Sequence, residues 1–349
     1  MKKYMMILVS INLLLVGCQS GGNTPSPNVN TFYFGEDLVF IEDDVITIDL
    51  ENSSAIVKEK HATLRTILTD EEVLHDIAAM TTTTANILSQ IGIQVTAAPE
   101  SEALSPSLTM EQYVLGSSQP IDKTKVLNVG SALSPNVEAI MELDPKIVLY
   151  SDAMPHGEYM DILHASGINL QPLGQSDYLD MFVLLDVIGG IYNHQNEQIN
   201  TIFKEMTDTL KSVQELLDVK VDQVQPTVAI LQVAGDTIIA NNEETVLGTI
   251  VTALGVNNVF KNNGNGEVNK EEILAANPDY IIYYTHGNGQ ASLTQFHEVL
   301  YDENGVYREL QAVKNKQAFP VASDDFIFAA SVDLDIVKVI SYLAKGFYE

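Results

Sequence analysis

His286 is the side chain whose chemistry is easiest to name. It follows the apolar run Tyr280-Ile-Ile-Tyr-Tyr284-Thr and is itself followed by Gly287-Asn288-Gly289. A neutral imidazole there can ligate a transition metal. If the run is a strand of an open α/β sheet, His286 sits at its carboxyl end, where ligands bind in such sheets. A solvent-facing loop histidine is the other reading. Three further donors recur in comparable settings: Met154 and His156 in Ser151-Asp-Ala-Met154-Pro155-His156-Gly157, and Met80 at the end of Ile77-Ala-Ala-Met80. A thioether is a soft metal ligand, although methionine more often fills a core. The seven histidines, His61, His75, His156, His164, His194, His286 and His297, form no i, i+2 or i, i+4 pair. A zinc or manganese site would therefore have to draw its ligands from distant loops.

Two carboxylates are set by a repeated pattern. Glu138-Ala-Ile-Met-Glu-Leu-Asp-Pro145-Lys-Ile-Val-Leu-Tyr150 and Glu271-Glu-Ile-Leu-Ala-Ala-Asn-Pro278-Asp-Tyr-Ile-Ile-Tyr283 are offset by 133 residues, with the Glu seven positions before the Pro in each. A helix opening at the Glu must stop at Asp-Pro or Asn-Pro, because the residue before proline is driven from the α region. The β-branched and aromatic run that follows reads as a buried parallel strand. A weaker echo pairs Ile87-Leu-Ser-Gln-Ile-Gly92-Ile93 with Ile250-Val-Thr-Ala-Leu-Gly255-Val256, each a helix ended by glycine. The period is too long for a solenoid and fits two lobes built on one plan.

Composition narrows the function further. The chain has 349 residues, 46% of them apolar, and a formal net charge of −29. It is long enough for two ordinary cores, and its acidity excludes nucleic acid as a partner. Met1 to Gly17, with Lys2, Lys3 and a short apolar core, reads as a secretory signal. Its loss takes the charge from −29 to −31. Cys18 is the sole cysteine, so disulfides and cysteine-rich metal clusters are excluded. No Gly-x-Ser-x-Gly elbow, phosphate loop or His-Glu-x-x-His is present, and we expect no enzyme and no catalytic cofactor.

Residues 18–30 are a Gly/Pro/Ser/Asn tether and 31–71 an N-terminal extension, with a hairpin expected across Leu38–Ile48. The N-lobe, 72–176, should hold strands at 77–80, 126–129, 147–150 and 168–173. Helices should run from a threonine cap at 81–84 to Gly92, over the repeat, and over 158–165. A Ser/Pro-rich loop spans 99–124. A helical connector spans 177–225. Gly189-Gly190 should interrupt it, and Ile199, Ile202, Phe203, Met206, Leu210, Val213 and Leu217 line one face of a helix about 37 Å long from Asn193 to Leu217. The C-lobe, 226–349, should hold strands at 227–233, 280–284 and 318–321, and helices at 245–254, over the repeat, and from Val332 to Phe347. The fold class is α/β, two Rossmann-like lobes joined by one long helix.

This organisation resembles the substrate-binding lipoproteins of ABC importers for iron-siderophores, heme and cobalamin. The matching signatures are Gly130-Ser-Ala-Leu-Ser-Pro-Asn136-Val-Glu138-Ala-Ile, Val268-Asn-Lys-Glu271-Glu-Ile-Leu with Asn277-Pro-Asp, and Leu15-Val16-Gly17-Cys18, which resembles a lipobox. Within the family it is most similar to heme-binding lipoproteins of Gram-positive surface uptake systems. The resemblance implies a monomeric receptor, lipidated at Cys18 and held at the outer face of the cell membrane, which delivers heme to an ABC permease and its ATPase subunit. His286 then corresponds to the heme-iron ligand, while Leu133 stands where those proteins carry the second axial ligand, a methionine. Met154, His156 and Met80 are the alternatives, and five-coordinate iron with no second protein ligand is equally open. Glu138 and Glu271 correspond to the carboxylates that engage basic residues of the permease.

Only two arginines exist, Arg65 and Arg308, and a catecholate siderophore would want an arginine cluster. A largely apolar macrocycle suits the chain better, with Tyr283, Tyr284, Phe326 and Phe328 as pocket walls or core aromatics. A ferric hydroxamate or corrinoid receptor, a divalent-metal receptor and a nontransport adhesin are the other readings.

Overall fold

The structure is a computed structural model that describes residues 30–34, 37–42, 45–81, 84, 85, 88, 93, 95–99, 126–131, 134–151, 157–173, 178–192, 197–220, 225–285, 290–321 and 336–349. The chain opens with three antiparallel strands, β1 (Asn30–Phe34), β2 (Asp37–Glu42) and β3 (Val45–Ile48). The expected hairpin is therefore one half of a three-stranded meander. Helix α1 (Ala55–Thr69) follows, capped by Ser54, whose hydroxyl accepts from the Val57 amide. A single turn, α2 (Glu71–Leu74), leads into the first lobe.

The first parallel sheet holds β4 (Ile77–Ala79), β5 (Ala97–Ala98), β6 (Leu127–Asn128), β9 (Ile147–Tyr150) and β10 (Leu170–Pro172) in the spatial order β10-β9-β4-β5-β6. A two-residue ladder, β7 (Gly130–Ser131) with β8 (Ser134–Pro135), projects beyond β6. Gly130 has a φ of +84°, and a Cβ there would lie 2.9 Å from the Ser134 carbonyl oxygen, so only glycine fits this turn. Helices α3 (Val137–Leu143) and α4 (Gly157–Ala165) complete the lobe.

Two helices then run in succession, α5 (Tyr178–Tyr192) and α6 (Glu197–Lys220). The expected break at Gly189-Gly190 is not there, since α5 passes through both. Its residues from Met181 to Ile188 are buried almost without exception, and the packing of an apolar helix outweighs the ~1 kcal/mol that each glycine costs. Helix α6, 24 residues and about 36 Å long, buries Phe203, Met206, Leu210 and Val213 along one stripe, as their spacing requires.

The second sheet contains β11 (Thr227–Ala234), β12 (Thr237–Ala240), β13 (Asn257–Asn258), β14 (Tyr280–Tyr284) and β15 (Ala318–Pro320). The parallel order β15-β14-β11-β13 repeats β10-β9-β4-β5 of the first sheet, while β12 adds an antiparallel edge. Its helices are α7 (Val246–Ala253), α8 (Lys270–Ala276), α9 (Gln290–Leu300), a 3-10 turn at Val306–Glu309, α10 (Gln311–Lys314) and α11 (Ile336–Tyr348). Residues 332–335, expected to open the last helix, lie outside the described set.

Strand alternation sorts the cores. Ile77, Ala79, Ile147 and Leu149 from one sheet and Val228, Ile230, Ile282 and Tyr284 from the other belong to a single apolar cluster that also takes in α5, α6, α7 and α11. The opposite faces form separate cores: Ala78, Met80 and Val148 with Ile140 and Leu163 in one lobe, and Ala229, Leu231, Ile281 and Tyr283 with Phe296 in the other. Each lobe is thus a three-layer sandwich, and its inner layer merges with the connector.

Candidate functional site

The repeated units share their backbone devices. Asn136 caps α3 by accepting from the Ala139 amide, and Asn269 caps α8 by accepting from the Glu272 amide, with Glu272 closing a capping box. Each helix ends on a left-handed residue before its proline, Asp144 at φ 50° and Asn277 at φ 39°, and that residue's N–H returns to Ile140 or Ile273. The weaker echo is real in the same sense. The Ile93 amide donates to the Leu88 carbonyl and the Val256 amide to the Val251 carbonyl, matching five-residue closures.

This plan defines one rim per lobe. A helix between parallel strands runs back against them, so the amino ends of α3 and α8 stand at the carboxyl ends of β9 and β14. Glu138 lies in the first turn of α3 and Glu271 in that of α8, and both are exposed. Each carboxylate sits at the favourable end of its helix dipole, an effect that solvent screens at an exposed position. The Lys270 ammonium is 3.9 Å from Glu271, too loose and too exposed to hold it. At the same rim β4 ends in a threonine turn, where the buried Thr81 hydroxyl accepts from the Thr84 amide and lies 2.8 Å from the Thr84 hydroxyl.

The candidate iron ligands divide. Cys18, Leu133, Met154, His156 and His286 lie outside the described residues, as do Phe326 and Phe328. What the structure describes is their approach. β9 ends at Tyr150 and the buried Ser151, just before the segment with Met154 and His156, and β14 ends at Tyr284 and Thr285, just before His286. β9 and β14 are equivalent strands, so the two segments leave equivalent rims.

Met80 is a correction. Its side chain is wholly buried in the outer core of the first lobe beside Val129, Ile140 and Val148, and it is removed from the ligand set. Period two explains this, since Met80 shares its face with Ala78, away from the connector.

Tyr283 and Tyr284 are core residues rather than pocket walls. Tyr283 packs edge-on against Phe296 at 5.2 Å and its phenol bonds the His297 Nδ1. Tyr284 donates to Asn241 Oδ1 at 2.7 Å, and burial pushes both phenols well above the usual tyrosine range. The arginines sit apart. Arg65 lies on α1 against Gly190, and Arg308 holds the Glu303 carbonyl and the Glu309 carboxylate at the 3-10 turn. They form no cluster. Among the described residues no three His, Cys, Asp or Glu side chains converge as a metal site would require, and no helix is long and apolar enough to cross a membrane.

Sequence reasoning missed two polar pairs that fasten α1 to α5: the ion pair of Lys60 Nζ with Asp180 Oδ1 at 2.6 Å, and His61 Nε2 against Asp186 Oδ2 at 2.8 Å. The first of these pairs lines a pocket of about 280 Å3 between α1, β10 and α5, together with the exposed Ile56. The spacing of Lys60 and His61 beside the apolar stripe Val57, Leu64 and Leu68 was the one available signal.

Comparison with known proteins follows this geometry. The chain is 26% identical over 234 residues to the high-affinity heme uptake system protein IsdE of Staphylococcus aureus, an overlap of 64% of this chain and 75% of that one. The solved structure of an ABC transporter substrate-binding protein from Listeria monocytogenes superposes with a TM-score of 0.58 at 20% identity, over 78% of this chain and 98% of its own. Staphylococcus aureus IsdE complexed with heme gives 0.55 at 22% identity, over 79% and 99%. The model of the periplasmic binding protein family matches residues 77–324, and on that extent the chain belongs to this family.

Proposed function

We propose that this protein is a lipid-anchored receptor at the outer face of the cell membrane, which binds heme at the rims of its two lobes and delivers it to an ABC import permease. The family is one of solute-binding proteins, so the role is capture and not catalysis. The observation that carries the ligand is the sequence position of His286, directly beyond the carboxyl end of β14, in a chain related to a heme uptake protein. Met154 and His156 follow the equivalent strand β9 and are the second-ligand candidates now that Met80 is spent in the core. The separation of Arg65 from Arg308 argues against a catecholate anion, whose charge needs several guanidinium groups.

Docking is proposed through Glu138 and Glu271. Both copies keep the glutamate at the same place, yet in neither does it cap the helix, which Asn136 and Asn269 do. Glu272 already serves the cap and dipole of α8, and an exposed carboxylate is worth little to stability. A partner with two equivalent basic sites accounts for the repetition.

The test is a hemin titration of the mature chain with Cys18→Ser, followed by visible absorption, beside His286→Ala. A saturable, shifted Soret band that the variant loses supports heme with His286 on its iron. Met154→Ala and His156→Ala then show by their band shapes which side chain lies opposite. A titration with no specific band, or one indifferent to His286, removes heme, and ferric hydroxamates, corrinoids and divalent metals are tried by thermal shift.

A further inference from the structure

We infer that the N-terminal segment 30–69 is a brace that ties the two lobes together behind the connector and limits their relative motion. The segment lies ahead of the family match, which begins at residue 77. It is not a loose appendage. Ile46, Ile48, Val57, Leu64, Ile67 and Leu68 are all buried and belong to the same apolar cluster as the inner faces of both sheets.

Its contacts reach the connector and the second lobe, and its helix α1 shares a pocket wall with Gln171 and Pro172 of β10 in the first lobe. Helix α1 lies along α5, and β3 packs on α5 and α6, while β1 lies against α7 of the second lobe. The pairs Lys60–Asp180 and His61–Asp186, both partly withdrawn from solvent, fix α1 on α5 in register. Arg65 covers the Gly190 turn from the same helix, 3.6 Å from where a methyl group would sit. A segment that is anchored on the connector and touches α7 must slide or peel when the lobes rotate. Packed cores resist such sliding because they are close-packed and not fluid. The lobes and connector are therefore held as one body, and the brace is part of what holds them.

Hydrogen exchange on the unmodified, ligand-free protein tests the attachment. Amides of β3 and α1 should exchange within about tenfold of those in α5, as members of one cooperative unit. Exchange about a hundredfold faster than α5 would show a frayed appendage and overturn the brace. Lobe motion is read by spin labels at Glu138→Cys and Glu271→Cys in a Cys18→Ser background. Leu64→Asp/Leu68→Asp, which places charges in the buried face of α1, should broaden the distance distribution about twofold. An unchanged width, with exchange showing α1 released, would overturn the proposal. Lys60→Ala/His61→Ala gives the same two readings if the buried aspartates prevent folding. No ligand is present in either measurement, so the result is independent of what the receptor binds.

Discussion

Two glycine-to-alanine substitutions should move stability in opposite directions, and the structure gives both signs. Gly248 occupies the first turn of α7, where Thr245 caps the helix by accepting from the Gly248 amide and itself donates to the Asn242 carbonyl. A Cβ on Gly248 would lie 2.0 Å from that Asn242 oxygen and 2.9 Å from both the Asn242 carbonyl carbon and the Glu243 Cα. These are backbone atoms, and they are pinned. The Asn242 amide donates to Asn265, and Asn258 donates to the Asn241 carbonyl. On the far side the helix is seated by Val246, Leu247, Ile250 and Val251.

Relief requires roughly 1 Å of movement, an overpacking cost of about 1–3 kcal/mol. Losing the two capping bonds adds about 1 kcal/mol each, and the helix preference for alanine returns about 0.5–1 kcal/mol. The net expectation for Gly248→Ala is about 3 kcal/mol of destabilisation. Gly190 has an ordinary helical φ and is exposed, and the methyl group would meet only a movable Arg65 nitrogen at 3.6 Å. Gly190→Ala should therefore gain about 0.5 kcal/mol. Urea unfolding followed by far-UV circular dichroism reads both as shifts of midpoint at constant slope. Gly248→Ala within about 0.5 kcal/mol of the parent, or Gly190→Ala destabilised by more than about 1 kcal/mol, would refute the packing argument.

Tyr348 donates its phenol to the Leu254 carbonyl, and burial pushes its pKa up to about 12 from an ordinary 10.0. Because the folded value is the higher one, its contribution is intact below pH 10 and lost between pH 10 and 12, and Tyr348→Phe should flatten that part of the stability profile. Burial likewise raises the Asp186 carboxyl above its ordinary 3.8, more than the charge and hydrogen bond of His61 lower it. Its contribution is present below 3.8 and lost as pH rises through the folded value, so Asp186→Asn should lose less stability than the parent over that climb in a pH series of urea midpoints. Glu138→Gln and Glu271→Gln should each change stability by less than about 0.5 kcal/mol and leave ligand titrations unchanged, while the double variant loses permease-dependent uptake. Uptake equal to the parent would remove the docking role.

Most of the fold was legible because its signals are local. Asn136 and Asn269 before a helical stripe, proline at 145 and 278, and β-branched runs after each fix helix start, helix stop and strand without reference to anything distant. Gly189-Gly190 misled for the same reason. Helix propensity is local, but α5 is decided by the burial of its whole length. The brace was illegible since its partners are remote, Lys60 meeting Asp180 across 120 residues of sequence. At the site, the strand ends were readable from periodicity. Which aromatic faces a core was not, because Tyr283 and Tyr284 both look like wall residues until Phe296 and Asn241 claim them.

The duplication separates what folding requires from what it does not. Overlaying the two units at an offset of 133 residues, the cap asparagine, the buried isoleucine, the left-handed residue, the proline and the closing Tyr150 or Tyr283 coincide. Each has a structural reason in both lobes: an amide to cap, a core to fill, a helix to stop. Beyond the closing tyrosine the copies part at once, Ser151-Asp-Ala-Met154 against Tyr284-Thr-His286-Gly287. Two units that keep the same scaffold and abandon resemblance beyond equivalent strands are not held to one sequence there by the fold. The proposed heme site would draw on this difference, with an imidazole from one segment and a thioether or second imidazole from the other.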